Sequence, residues 1–241
     1  MNQLILGDCL EKMKDIPDKS VDMILTDLPY NIHNMEWDKQ LDLKLLWHQF
    51  YRIIKYNCGI ILFSGGLFTS VLIHSNPKDW KYELIWQKSK CGSPLNAKYM
   101  PMRKHENIQV FSKKGKAIKY NPQMETGTPY KRDITDIKLN NLKYGLKYVK
   151  TENFGTRYPS SILNFPQKWR RQDQIHPTQK PVELFEYLIK TYTNENDLVL
   201  DCCAGSGTTA IACINTNRNY ICIEKDESYF NIMKNRVENK K

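Results

Sequence analysis

The chain has 241 residues and a mass of 28.4 kDa, enough for one well-buried domain with a small additional lobe. Its 41% hydrophobic and 11% aromatic content is too apolar for general disorder. Lys and Arg number 36 against 26 Asp and Glu, and the net charge of +10 belongs entirely to residues 113–172, which hold 14 basic and 4 acidic residues while the rest holds 22 of each. A neutral body with one basic segment points to a polyanionic partner.

The apolar runs are too short for a transmembrane helix, and the N-terminus lacks the cationic start and long apolar stretch of a signal peptide. The seven cysteines include no CxxC pair and the five histidines are scattered. A structural zinc site is therefore not expected, and the odd cysteine count with the apolar surroundings of Cys202, Cys203, Cys213 and Cys222 reads as reduced core residues of a cytosolic protein.

In chain order, apolar and β-branched runs predict strands at 3–6, 21–26, 58–64, 82–87, 107–112, 197–202 and 219–223. Helical patterns fall at 8–14, 42–56, 66–75, 181–193, 208–217 and 226–238. Pro181 suits a first helical turn, with Leu184, Phe185, Leu188 and Ile189 on one face. This alternation predicts an α/β fold, a seven-stranded, mostly parallel sheet covered by helices. Residues 113–172 show no clear period and read as an insertion between residues 1–112 and 173–241.

The segment LVLDCCAGSGTTAIAC reads as strand, tight turn, helix. Gly205 and Gly207 allow a sharp turn and close approach to a ligand, Thr208 and Thr209 are candidate helix caps, and Ala210 completes a loose dinucleotide fingerprint. Glu224 ends the next strand, where it can accept from ribose hydroxyls. Asp201, at the carboxyl end of its strand, is ill placed for a pyrophosphate but suits a ligand with an amino group, which favours S-adenosylmethionine over NAD. Too few residues follow Glu224 to complete the sheet, so the chain reads as circularly permuted, with its cofactor half last.

VDMILT runs directly into Asp27-Leu28-Pro29-Tyr30. Functional groups of parallel sheets collect beyond the carboxyl ends of strands. Here that end offers a carboxylate for an exocyclic NH₂ and an aromatic face for a planar ring.

With these motifs together, the sequence resembles the β-class amino-methylating DNA methyltransferases, which act on adenine N6 or cytosine N4. TDLPYN resembles their D/S-P-P-Y catalytic motif, DCCAGSGTT their D-P-F-x-G-S-G-T-T cofactor loop, HPTQKP at 176–181 their motif at the cofactor's methionine end, GDCLEKM at 7–13 their N-terminal element, and MRKHENIQVFSK at 102–113 the strand region before target recognition. Leu28 stands where the family has Pro and supplies the same backbone carbonyl. Cys202 and Cys203 replace its Pro-Phe, which removes the ring expected against the cofactor adenine.

The resemblance implies a Rossmann-like S-adenosylmethionine methyltransferase fold and transfer of a methyl group to a flipped base, with adenine N6 favoured by Asp27. It makes Asp27, Leu28, Pro29 and Tyr30 catalytic. Asp8, Cys9, Thr178, Lys180, Asp201, Ala204, Gly205, Gly207, Thr208, Thr209 and Glu224 become cofactor-binding, and His176 orients the loop carrying Thr178, Gln179 and Lys180. In the basic target-recognition insert, Lys131, Arg132, Arg157, Arg170 and Arg171 are candidate DNA contacts, and Trp37 belongs either to a lid or to the core. The implied partner is double-stranded DNA and the location cytoplasmic, with nucleoid association, phage origin, a homodimer and a cognate restriction endonuclease left open. The alternatives are cytosine-N4 methylation, a non-catalytic nucleic-acid-binding module and a nicotinamide oxidoreductase.

Overall fold

A computed structural model describes residues 2–30, 41–92, 94–115, 117–133, 150–166 and 179–240. The chain divides into two compact units, one formed by Met1–Asn121 with Ser161–Lys241 and the other by Pro122–Ser160.

The larger unit is built on an eight-stranded sheet of β1 (Asn2–Leu6), β2 (Val21–Thr26), β3 (Ile54–Ser64), β4 (Trp80–Gly92), β5 (Arg103–Ser112), β10 (Ile162–Asn164), β11 (Leu198–Asp201) and β12 (Asn219–Glu224), in the order β1-β12-β11-β2-β3-β5-β4-β10. Only β5 runs against the others; it is antiparallel to both β3 and β4. All seven predicted strands form. The eighth, β10, lies inside the segment read as an insertion, where it pairs in parallel with β4 through Ile162–Asn164. Three residues carry too little pattern to be recognised as a strand.

Both faces of the sheet are covered, which explains the unbroken apolar runs. Every residue of β2 is buried. Met23 and Leu25 point with Ile61 and Phe63 toward α4 (Val182–Tyr192), α5 (Thr208–Asn215) and α6 (Glu227–Glu238), where Leu184, Phe185, Leu188, Ile189 and Met233 close the layer. Ile24, Ile60 and Leu62 face the opposite way, against Leu46, Trp47, Phe50 and Ile53 of α2 (Leu43–Ile53) and Phe68 and Leu72 of α3 (Leu67–Ser75). The period-two alternation of strand side chains produces this three-layer sandwich. Asp42 caps α2 through the amides of Lys44 and Leu45, and Asp226 caps α6 through those of Ser228 and Tyr229. The helix expected over 42–56 ends three residues early, because Ile54–Tyr56 already belong to β3. Pro181 is the N-cap of α4, just outside the helix.

The second unit is narrower than residues 113–172. Lys119 donates its amide to the Asn57 carbonyl (2.9 Å) and Asn121 to that of Thr191 (2.7 Å), so the chain before Pro122 packs on the larger unit. Residues 122–160 form two short antiparallel ladders, β6 (Glu125–Thr126) with β9 (Thr156–Arg157) and β7 (Tyr130–Asp133) with β8 (Lys150–Asn153). This unit holds 7 basic and 4 acidic residues, so most of the +10 surplus lies in its flanks.

Candidate active site

Parallel strands deliver their carboxyl ends to one edge of the sheet, and here they bring together motifs distant in sequence. Neighbouring β1, β12, β11 and β2 place Gly7–Cys9, Glu224, Asp201–Gly207 and Asp27–Tyr30 side by side. The register pairs Leu200 with Ile24, which sets the glycine loop directly beside the DLPY segment.

In the Asp27–Tyr30 segment, the Leu28 side chain is buried in the core at 3% exposure, which leaves only its backbone to face a substrate. Asp27 is partly exposed and engaged at both oxygens. Tyr30 donates its hydroxyl to Oδ1 (2.8 Å), and the Lys180 ammonium pairs with Oδ2. The Tyr30 ring stacks on Phe68, with centroids 5.0 Å apart. Burial, then the nearby charges of Asp27 and Glu106, raise its hydroxyl pKa. Gly65 and Gly66 lie beneath the Arg103 guanidinium, and a Cβ on Gly65 would stand 3.2 Å from Arg103 Nη1 and 3.6 Å from Tyr30.

Lys180, expected near the cofactor, pairs with Asp27. It is 6% exposed, and its ammonium also lies 3.3 Å from Glu106 Oε2 and 5.2 Å from the Phe63 ring centroid. Burial would lower its pKa, but the Asp27 and Glu106 carboxylates outweigh burial and hold it above the ordinary lysine value. Burial likewise works against ionisation of Glu106, and the Lys180 and Lys88 ammonium groups overcome it to lower that pKa. Lys88 holds the other oxygen, Oε1. Glu106 was missed as a site residue although it lies in the MRKHENIQVFSK block. Its signal was a carboxylate in the first half of a strand whose second half is fully buried.

The glycine loop divides its labour differently from the sequence reading. Both glycines adopt left-handed backbone, φ +51° at Gly205 and +82° at Gly207. A Cβ on Gly205 would meet nothing within 4 Å, whereas one on Gly207 would lie 2.5 Å from Met233 Cγ of α6. Gly207 is therefore required by packing against α6, and Gly205 faces the open space. Thr208 and Thr209 do not cap α5, whose N-cap Gly207 has no side chain to offer. Thr209 instead donates to Asp201 Oδ2, and Thr208 to the Lys180 carbonyl (3.5 Å), tying the loop to the residue that pairs with Asp27.

Asp201 is only 3% exposed and also accepts from the Cys203 amide (3.1 Å). Burial pushes its pKa up to about 6, against the opposing hydrogen bonds from Thr209, Thr26 and Cys203. It braces the loop from below. Glu224 accepts from the Gly205 amide (2.7 Å) through Oε2 and from the Asp226 amide (2.8 Å) through Oε1. Asp8 caps α1 (Cys9–Lys12) through Leu10, and Ala204 is held to the Ile223 carbonyl (3.0 Å). Cys9 and Cys202 are buried, with the partly buried Cys203 beside them. Thr178, His176, Trp37, Arg170 and Arg171 lie outside the described residues.

In the second unit, Arg157 is used internally. It donates to Asn153 Oδ1 and the carbonyls of Thr128 and Thr156, and its guanidinium lies 4.7 Å from the Tyr130 ring centroid. Lys131 is exposed and pairs with Glu152 at 2.6 Å. Arg132 lies in β7. The sequence reading overlooked Phe154 and Tyr158, exposed at 82% and 76% in the same unit.

The comparison that decides the family is a model described as DNA methylase, the N6/N4 methyltransferase family, which matches residues 21–235. The chain belongs to this family. Its relatives include the type II methyltransferase M.HpaI of Haemophilus parainfluenzae, 27% identical over 98% of this chain and 74% of that protein. The DNA adenine methyltransferase YhdJ of Escherichia coli is 27% identical over 98% and 82% respectively. Among solved structures, the complex of M1.HpyAVI with S-adenosylmethionine is 27% identical, covers 98% of this chain and 99% of that one, and has a TM-score of 0.66. The cytosine-N4-specific PvuII methyltransferase shares the fold at a TM-score of 0.71 and 16% identity, over 99% and 90% of the two chains.

This DNA methylase uses S-adenosyl-L-methionine as its methyl donor. The residues present fit that group: the Gly205 backbone fronts a space that a Cβ would enter without touching protein, and the Gly7–Glu224 backbone hydrogen bond brings the Asp8 and Glu224 carboxylates to the same edge of the sheet. Among the described residues, no helix is long and apolar enough to cross a membrane.

Proposed function

We propose that this methylase acts site-specifically on adenine N6 in double-stranded DNA, on a base turned out of the duplex. The observation that carries the reading is Asp27, a partly exposed carboxylate at the end of β2, held between Tyr30 and Lys180 beside the glycine loop of β11. Asp at position 27, where the resembling family has Asp or Ser, and the adenine specificity named for YhdJ support N6 over cytosine N4.

An exocyclic amine is a weak nucleophile because its lone pair is delocalised into the ring. The Asp27 carboxylate and the Leu28 carbonyl accept its two hydrogens and favour a pyramidal nitrogen with a localised lone pair. Tyr30 offers the ring face turned away from Phe68 for stacking on the base. Bound S-adenosyl-L-methionine supplies an electrophilic methyl group on a cationic sulfur. Asp8 and Glu224 hold it at the adenosine end, beside the open backbone of Gly205. Rate then comes from positioning and electrostatics rather than from a covalent enzyme intermediate.

Lys180 must yield for this to happen. With both Asp27 oxygens engaged, the amine competes with the ammonium for Oδ2. Glu106 Oε2, a buried oxygen that already lies 3.3 Å from Lys180 Nζ, is the acceptor onto which the ammonium shifts. Glu106 is thus a positioning residue acting on Asp27 through Lys180. Glu106→Gln is expected to lower kcat about tenfold, equivalent to ~1.4 kcal/mol, with the cofactor dissociation constant unchanged and Glu106→Asp restoring part of the rate. A wild-type kcat in Glu106→Gln means that Lys180 does not transfer to this carboxylate.

Lys131 and Arg132, with the exposed rings of Phe154 and Tyr158, are the proposed DNA contacts of the second unit, which Arg157 helps to maintain, and Arg170 and Arg171 are proposed contacts from the chain that follows it. The type II names of M.HpaI and M.BglII support a cognate restriction endonuclease as a partner. Incubation of unmethylated plasmid with methyl-labelled cofactor, followed by nucleoside analysis, is expected to give N6-methyladenine. Labelled N4-methylcytosine overturns the base assignment, and unlabelled DNA overturns the activity.

A further inference from the structure

Without a CxxC pair, the cysteine spacing along the chain predicts no zinc site. The fold changes that for three of the cysteines. Cys9 follows the Gly7–Asp8 turn that ends β1, and Cys202–Cys203 follow Asp201 at the end of β11, with β12 lying between those strands. Both segments bend over the end of β12. Gly7 donates its amide to the Glu224 carbonyl (2.9 Å) and Ala204 to that of Ile223 (3.0 Å), so each is anchored by backbone on the same strand. The result is three thiol sulfurs within 4.8 Å of one another, the only such group of potential metal ligands among the described residues.

We infer that Cys9, Cys202 and Cys203 form a binding site for one thiophilic divalent cation, with zinc as the cellular candidate. Tetrahedral zinc with Zn–S bonds of about 2.3 Å sets its sulfurs roughly 3.8 Å apart, so closure needs movements of about 1 Å or less. Cys9 and Cys202 are buried and Cys203 is partly buried, so the three sulfurs sit in a water-poor setting. Binding exchanges three thiol protons for the cation and needs no oxidant, so apparent affinity rises with pH. Occupancy ties the N-terminal turn to the glycine loop, which raises thermal stability by mass action.

The test uses the full chain carrying Cys91→Ser, which removes the exposed thiol, and titrates Cd²⁺ while following sulfur-to-cadmium charge-transfer absorption. Zn²⁺ is then measured by competition with a chromogenic chelator. One equivalent is expected to bind with three-thiolate intensity, raising the melting temperature. Cys203→Ser and Cys9→Ser should each weaken binding at least tenfold. No charge-transfer band, or a band unchanged by Cys203→Ser, overturns the site. Should those variants fail to fold, alkylation of the wild-type chain is mapped by mass spectrometry. Zn²⁺ should protect Cys9, Cys202 and Cys203 together, and equal labelling with and without Zn²⁺ overturns the inference. A disulfide between any two of them in the protein purified without reductant also counts against it. Methyl transfer is not a readout, so the result is independent of the base assignment.

Discussion

Asp27→Asn is expected to lower methyl transfer to DNA by at least about 10²-fold while leaving S-adenosyl-L-methionine binding intact. The size follows from losing a preorganised group that acts on developing charge. The substitution keeps the shape but replaces one acceptor oxygen with an NH₂ that repels the incoming amine hydrogens. It also strips Lys180 of one of its two carboxylates, leaving Glu106 as its remaining ion-pair partner. Asp27→Ala removes the acceptor altogether and should be at least as damaging. Single-turnover transfer and calorimetry of cofactor binding separate the two quantities. Near-normal turnover in Asp27→Asn would remove this carboxylate from the chemistry. A parallel loss of cofactor affinity would show that the residue holds the fold of the site rather than the amine.

Gly207→Val is expected to destabilise the fold by about 3 kcal/mol or more, a shift on the order of 10 °C in melting temperature. Two costs add. A β-branched residue is strained at φ +82°, and its Cβ would stand 2.5 Å from Met233 Cγ and 3.1 Å from Met233 Cβ. Met233 is completely buried, so it has little room to retreat. Gly205→Ala provides the contrast. Its added methyl meets no protein atom, so the cost is chiefly that of φ +51°, and the larger effect should be weaker cofactor binding. Thermal unfolding and cofactor calorimetry on both variants decide the matter. A Gly207→Val protein as stable as wild type but unable to bind cofactor would restore the ligand-contact role first read from the sequence.

The two glycines show how far a motif can be read along the chain. GSG after a strand announces a turn and a helix, because only glycine tolerates the backbone required there. Which glycine faces ligand and which faces protein depends on α6, which arrives twenty residues later and brings Met233. Thr209 and Asp201 carry the same lesson. A threonine after a glycine turn reads as a cap and an aspartate at a strand end reads as a ligand, yet the fold satisfies each with the other. Lys180 was recognised within HPTQKP, but its place on Asp27 follows from α4 packing against β2 and β3.

The sequence by itself determined the local and periodic features. The short apolar, β-branched runs set seven strands, the spaced apolar faces set the helices, and DLPY and the glycine loop announced the two halves of the chemistry at strand ends. These are decided by residues within a few positions of one another, so they are visible without knowing what packs where. The tertiary structure decided which of those groups meet. Strand order brought β11 beside β2 and so the cofactor loop beside Asp27. It set Glu106 from antiparallel β5 against Lys180, and it carried Cys9 to Cys202 and Cys203. Such pairings depend on sheet order and on what covers each face, and burial makes an ionic or thiol contact between distant residues matter. No spacing along the chain records that.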